Sequence, residues 1–210
     1  FAHYGGDPEL IKGYTEGNLD AHDLTAQRLK VDRDGIAKTL NFAVLYGSGA
    51  NGLTSLLGKD LIFCQDLIQR FHSANPALKD LQQRLEYEVA NEGKLVDPYG
   101  MHYHVLPDDY YKIVNTMIQG TAGSVLKAAK LRCRNLLKKS RTNLVGEIHD
   151  ELVFEVPYDE LHIVPLLVEC MEDSETFSVP LTVSVEYTKT NWGAKEVFPD
   201  TKMKKVMVPW

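Results

Sequence analysis

Lys38, Phe42 and Tyr46 stand four residues apart, and Gly47 and Gly49 follow at once. On an α-helix each four-residue step drifts only ~40°, so the three side chains form one stripe. The spacing predicts a helix from Arg33 to about Leu45 that stops at Tyr46-Gly47-Ser48-Gly49, a glycine terminator. The stripe presents an ammonium, an apolar ring and a phenol in that order. A nucleoside triphosphate laid along it meets its phosphates, sugar and base in the same order. This points to nucleotidyl transfer rather than to nucleotide binding at large. Taken alone, the spacing fits equally an amphipathic helix with Leu40, Val44 and Leu45 in a core.

The rest of the chain divides by periodicity. Asp7 is expected to cap a short helix with Pro8 in its first turn, and Asp20 to cap Ala21 to Leu29. A helix is expected from about Lys59 to His72. Asn75-Pro76 opens a longer one, with Leu78, Leu81, Leu85 and Val89 on one face and Gly93 at its end. Lys94 to Val105 reads as a hairpin around Asp97-Pro98-Tyr99-Gly100. A helical region from Asp109 to Lys139 is expected to break near Gly120-Thr121. Two strands, Asn143 to Ile148 and Glu151 to Val156, flank a turn at His149-Asp150. A helix from Tyr158 to Met171 contains Pro165, which is expected to kink it. A strand from Leu181 to Tyr187 and a polar tail complete the pattern. A boundary near residue 110 separates a helical half with one hairpin, 1–110, from a mixed half, 111–210.

Charge is unevenly placed. The net charge of the 210 residues is −6, yet Lys112 to Arg141 holds eight Lys or Arg and no Asp or Glu. From Thr142 to Thr188 there is no Lys or Arg, while acidic residues accumulate. A basic strip beside an acidic patch suits a protein that holds polyphosphate and divalent metal on adjoining surfaces. It also fits a solvated basic helix followed by an acidic sheet face. At 44% hydrophobic residues the chain can bury a core, and it has neither an apolar run of spanning length nor a signal-peptide pattern. Cys64, Cys133 and Cys170 form no CxxC and read as free thiols of a reducing cytoplasm. His102 and His104 share a strand face without a third ligand, so they read as structural. An opening on Phe1 without an initiator Met is expected of a fragment or a processed piece.

His149-Asp150-Glu151 lies between two hydrophobic, β-branched runs, so a tight turn pushes its carboxylates outward. Alone, the triplet is also what a solvated hairpin turn looks like. Together, Lys38-x3-Phe42-x3-Tyr46-Gly47 and His149-Asp150-Glu151 resemble motifs B and C of the family A DNA polymerases. Asp20-Ala21-His22 resembles the family's Asp-x-His, and the segment from Asn115 to Gln119 resembles its minor-groove helix. The likeness covers residues 1 to 192 and implies an α+β fold: a helical fingers subdomain at 1–110, then part of the antiparallel-sheet palm of a right-hand polymerase. It implies DNA-templated DNA synthesis by nucleotidyl transfer from dNTP to a primer 3′-hydroxyl. His22, Arg33, Lys38, Phe42 and Tyr46 are then dNTP-binding. Asn115, Gln119 and His149 contact primer–template DNA. Asp150 is a metal ligand and Glu151 sits beside the primer terminus, so Asp150, Glu151, Lys38 and Tyr46 form the catalytic set. Two Mg²⁺ ions are expected in the complete enzyme. Asn115 and Gln119 stand four apart, and their amides fit either donation to groove acceptors that every base pair shares, which suits a template copier, or helix capping and a buried amide network.

The same likeness shows what this chain does not carry. The other catalytic aspartate, of motif A, belongs to a strand ending before Phe1-Ala2-His3-Tyr4. The 210 residues are therefore expected to need a partner segment supplying motif A and the thumb, and to be inactive alone. Arg33 lies five before Lys38 instead of four, about 140° away on an ideal helix, and reaches the phosphates only if the helix starts irregularly. Position 34, where the family is basic, is Asp34; Tyr111 stands where it often has arginine, and Met101-His102 where it has basic residues. No membrane is expected, and the compartment implied is the cytoplasm of a bacterial or phage-infected cell. Two other readings remain: a non-catalytic nucleotide- or DNA-binding remnant, and an unrelated metal-dependent phosphoesterase using His149, Asp150 and Glu151.

Overall fold

The structure is a computed structural model that describes residues 1–17, 19–172 and 175–198. It is α+β and forms two compact units, Phe1–Thr121 and Ala122 onward. These units divide inside a helix, between Thr121 and Ala122.

The first unit is helical. α1 (Ala2–Gly5), α2 (Pro8–Glu16) and α3 (Ala21–Leu29) precede α4 (Lys38–Leu45), α5 (Ala50–Leu57), α6 (Leu61–Ala74) and α7 (Pro76–Glu92). Local chemistry sets most ends. Asp7 accepts hydrogen bonds from the N–H groups of Glu9 and Leu10, and Gly93 closes α7 at φ 72°. The apolar face of α7 (Leu78, Leu81, Leu85 and Val89) is buried with Leu40, Leu53, Leu67 and Leu95 in one core. Each such side chain contributes about 1.5–3 kcal/mol by burial. Polar groups tie the helix ends together. Arg28 Nη1 donates to Asp7 Oδ2 at 2.7 Å and to Asn75 Oδ1 at 2.8 Å, joining α2, α3 and the start of α7. Burial pushes the Asp7 carboxyl up, but Arg28 and the N–H groups of Leu10 and Glu9 outweigh it and hold the group low.

β1 (Leu95–Val96) and β2 (His102–Tyr103) form the expected hairpin. His102 sits beside Lys94, and His104 Nδ1 bonds the Gly93 carbonyl at 3.0 Å. A 3₁₀ segment, Pro107–Lys112, then leads into α8 (Ile113–Leu136), which is continuous through Gly120-Thr121. The expected break does not occur. A Cβ on Gly120 would lie 2.4 Å from the Tyr103 ring, so this glycine serves close packing. Thr121 turns its hydroxyl back onto the Met117 carbonyl at 2.8 Å and stays helical.

The second unit continues α8 and adds β3 (Asn143–Ile148), β4 (Glu151–Glu155), α9 (Val164–Met171), β5 (Glu186–Tyr187) and β6 (Glu196–Val197). Pro165 does not kink a long helix. A 3₁₀ segment covers Tyr158–Ile163, and Pro165 falls in the first turn of α9, where its missing N–H costs nothing. Of the expected strand Leu181 to Tyr187, Glu186 and Tyr187 pair with β6 and Leu181 forms an isolated bridge; the residues between are not extended in a ladder. The tail after 198 lies outside the described residues. Glu160 accepts from the N–H groups of Arg141 and Thr142 and from the hydroxyls of Ser140 and Thr142, which fixes the entry to β3. Cys133 and Cys170, far apart in sequence, pack together here, and burial pushes the Cys133 thiol up to about 11.

Candidate functional site: a polar and aromatic stripe with an acid-held arginine

The stripe anticipated at Lys38, Phe42 and Tyr46 is present on α4 and open to solvent. Phe42 is 46% and Tyr46 50% exposed, with ring centroids 6.3 Å apart. Lys38 is exposed and makes no ion pair among the described residues. The opposite face, Leu40, Asn41 and Ala43, is buried. Gly47 ends the helix at φ 73°, and a Cβ there would lie 2.7 Å from the Tyr111 ring and 2.8 Å from the Tyr111 carbonyl oxygen. Tyr111, where a basic residue was expected, is thus a packing partner of the motif's own terminator.

His22 joins this surface from α3. Its ring centroid is 5.4 Å from that of Phe42. Asn41 sets its orientation. The Asn41 Oδ1 accepts from the Thr25 hydroxyl at 3.0 Å, and its Nδ2 donates to the Ala21 carbonyl and to His22 Nδ1, both at 3.1 Å. An amide nitrogen only donates, so in the neutral ring Nδ1 accepts and the proton sits on Nε2. That N–H is a donor for an anion. Sequence reading missed Asn41; the only signal was a polar residue on the buried face of an otherwise apolar helix.

The segment before Lys38 is irregular. Arg33–Ala37 is a π turn, in which the Ala37 N–H bonds the Asp32 carbonyl and the Lys38 N–H bonds that of Arg33. Reaching back five residues instead of four, this turn absorbs one extra residue and stacks Arg33 one turn below Lys38. The 140° displacement calculated for a regular helix therefore does not apply. The Arg33 guanidinium is held by three carboxylates: Nε by Asp23 at 2.6 Å, Nη2 by Asp20 and Nη1 by Asp34, both at 2.7 Å. Hydrogen bonds to Asp23 and then Asp34 hold its positive charge more firmly than usual.

On α8, still in the first unit, Asn115 is half-buried and Gln119 exposed, one turn apart on adjoining faces. In the second unit, β3 and β4 pair with Ile148 opposite Glu151, leaving His149 and Asp150 as a two-residue loop. His149 takes φ 54°, the left-handed conformation that such a short loop demands, and a non-glycine residue adopts it at a cost of roughly 1 kcal/mol or more. Val145 is an extra residue between the Leu144 and Gly146 pairings, a bulge that raises local twist. His149, Asp150 and Glu151 are all exposed. Among the described residues no group of three or more His, Cys, Asp or Glu side chains could hold a metal ion. Mg²⁺ needs one or two carboxylates with phosphates and water, so Asp150 suits one ligand position of a site completed by other groups. The structure thus gathers His22, Arg33, Lys38, Phe42 and Tyr46 in one unit and His149, Asp150 and Glu151 in the other.

Comparison with known proteins adds a frame. The model of DNA polymerase family A matches residues 1–194. The chain is 32% identical over 206 residues to the thermostable DNA polymerase I of Thermus filiformis, covering 88% of this chain and 24% of that protein. It is 25% identical to the DNA polymerase I of Synechocystis sp., over 91% of this chain and 23% of that one. The chain therefore spans about a quarter of the length of these relatives. Its fold is similar to the POL domain of Pol1 from M. smegmatis, solved with DNA primer-template and dNTP. The TM-score is 0.74 at 21% identity, over 86% of this chain and 35% of that chain.

Proposed function

The chain belongs to DNA polymerase family A, and on that premise we propose that it grips an incoming dNTP and supplies one metal-binding carboxylate for template-directed DNA synthesis. The observation that carries this reading is the solvent-facing stripe of Lys38, Phe42 and Tyr46, joined by a His22 whose Nε2–H is free to donate. Lys38 and His22 meet the triphosphate, and Arg33, stacked below Lys38 by the π turn, extends that end of the stripe. Phe42 lies against the sugar, and Tyr46 packs near the templating base. Residues 1–110 serve as fingers, and 111–210 as the C-terminal palm. Asn115, Gln119 and His149 contact primer–template DNA; Glu151 sits at the primer terminus.

Family A polymerases generally use Mg²⁺, and bound there it would stabilise charge on the attacking and leaving oxygens. Asp150 is the ligand this chain offers. One exposed carboxylate does not hold such an ion pair, so the second ligand comes from a motif A segment outside these residues, and the 210 residues alone do not polymerise. The compartment is the cytoplasm. Lys38→Ala tests the reading. In a polymerase assembled from this chain and a segment carrying motif A and the thumb, the dNTP KM should rise and kcat fall, together lowering kcat/KM by at least about a hundredfold. Unchanged kinetics would reject the triphosphate role. Primer extension by the chain alone would reject the need for a second carboxylate.

A further inference from the structure

We propose that Asp20 and Asp23 are positioning residues for Arg33: the two carboxylates that cap α3 also hold the guanidinium so that two of its N–H groups are left for a triphosphate. The inference rests on the reading that this end of the stripe takes phosphate.

A guanidinium carries five N–H groups. Asp23, Asp20 and Asp34 take one each, from Nε, Nη2 and Nη1. One N–H therefore remains on each terminal nitrogen. The two capping carboxylates do double duty, one oxygen for each task. Asp20 Oδ1 accepts from the N–H groups of His22 and Asp23 at 2.8 Å, and its Oδ2 accepts from Arg33. Asp23 Oδ2 accepts from the Asp20 N–H at 3.1 Å, and its Oδ1 accepts from Arg33. This reciprocal capping box fixes both carboxylates through the helix backbone, and Arg33 docks into a fork already in place. The same box sets the backbone of His22, so both phosphate-facing groups take their position from one device. Asp34 differs. Its side chain is 80% exposed, it neighbours Arg33 in sequence, and it bonds no other described group, so it follows the guanidinium rather than placing it.

Charge and position make opposite forecasts. By Coulomb's law, removing any of the three carboxylates should favour a bound triphosphate. If Asp20 and Asp23 act by holding Arg33, removing either should weaken binding, because the guanidinium then loses its fixed geometry. Only Asp34 should obey the charge rule.

The test is the affinity of the 210-residue chain for the fluorescent nucleotide mant-dATP with Mg²⁺, read by anisotropy. Asp23→Ala should weaken binding roughly threefold to tenfold, and Asp23→Glu should restore most of it. Asp20→Asn, which keeps a good cap, should weaken it similarly. Asp34→Ala should leave binding equal or tighter. In an Arg33→Ala background, the effect of Asp23→Ala should shrink to the small part that reaches His22 through the capping box. Tighter binding by Asp23→Ala and Asp34→Ala alike would overturn the proposal and leave the phosphate reading standing. An undiminished effect of Asp23→Ala without Arg33 would also overturn it, by showing that Asp23 acts only through α3. No change on Arg33→Ala, or no binding by the unaltered chain, would remove the phosphate reading itself and the proposal with it.

Discussion

Between Lys38 and Phe42 on α4, Asn41 faces inward and is 5% exposed. Its three hydrogen bonds leave the His22 ring one tautomer, and this can be inverted. Asn41→Asp keeps an acceptor for the Thr25 hydroxyl but replaces the donor that serves Ala21 and His22 Nδ1. An acceptor facing Nδ1 requires the proton there, so ¹⁵N shifts of the His22 ring should move from an Nε2–H to an Nδ1–H pattern. The orphaned Ala21 carbonyl should cost about 1–3 kcal/mol of stability. An Nδ1–H ring in the unaltered protein would refute the network. Phe42 makes the complementary case. Its exposed ring has no polar atom, so it offers nothing to a sugar lacking its 3′-hydroxyl. Phe42→Tyr adds a hydroxyl there and should raise dideoxynucleotide use by about twofold to tenfold, the worth of one hydrogen bond. Incorporation ratios that do not change would remove Phe42 from the sugar site. The exposed residues of this helix were legible because their spacing is local. Asn41 was not, because its partners lie on another element.

Gly120 shows the same contrast one level up. Helix propensity alone favours Gly120→Ala by about 1 kcal/mol. The added methyl would meet Tyr103, whose hydroxyl is anchored to Asp97 Oδ2 at 2.7 Å and whose ring cannot withdraw without breaking that bond. Overpacking costs about 1–3 kcal/mol, so the variant should be less stable on balance. Tyr103→Ala combined with Gly120→Ala should recover part of the loss, and denaturant midpoints of the two single variants and the double variant give the sign. A stabilised Gly120→Ala would show that the ring moves freely. Caps such as Asp7, Asp20 and Gly93 were readable from sequence because each acts within a few residues of itself. The break assigned to Gly120-Thr121, the kink assigned to Pro165 and the unread helix α5 fail for a shared reason. Their outcomes depend on a residue distant in sequence, or on where a helix begins. The π turn at Arg33–Ala37 belongs with them: spacing shows an extra residue but not how the backbone absorbs it.

Across the molecule, each unit keeps a carboxylate held low by its surroundings, Asp7 in the first and Glu160 in the second, and this sets the response to acid. At Glu160 the backbone N–H of Arg141, followed by the Ser140 hydroxyl, lowers the group from 4.5 to about 2. The folded state therefore holds this carboxylate ionised where the unfolded chain would bind a proton. Its contribution is fully present above pH 4.5 and declines as pH falls toward 2. Asp7 adds a loss of the same sign below its ordinary 3.8. The thermal midpoint should accordingly begin to fall below pH 6.5, where burial disfavours the protonated rings of His3 and His72 in the fold, and fall more steeply below pH 4.5. Glu160→Gln separates charge from shape. The amide keeps one acceptor and loses the charge, so the variant should melt below the unaltered chain at pH 7. The gap should narrow between pH 4.5 and 2, because protonation brings the unaltered protein down to the variant's level. A gap that stays constant across that range would mean that the Ser140–Thr142 turn depends on the geometry of the acceptor and not on its ionisation.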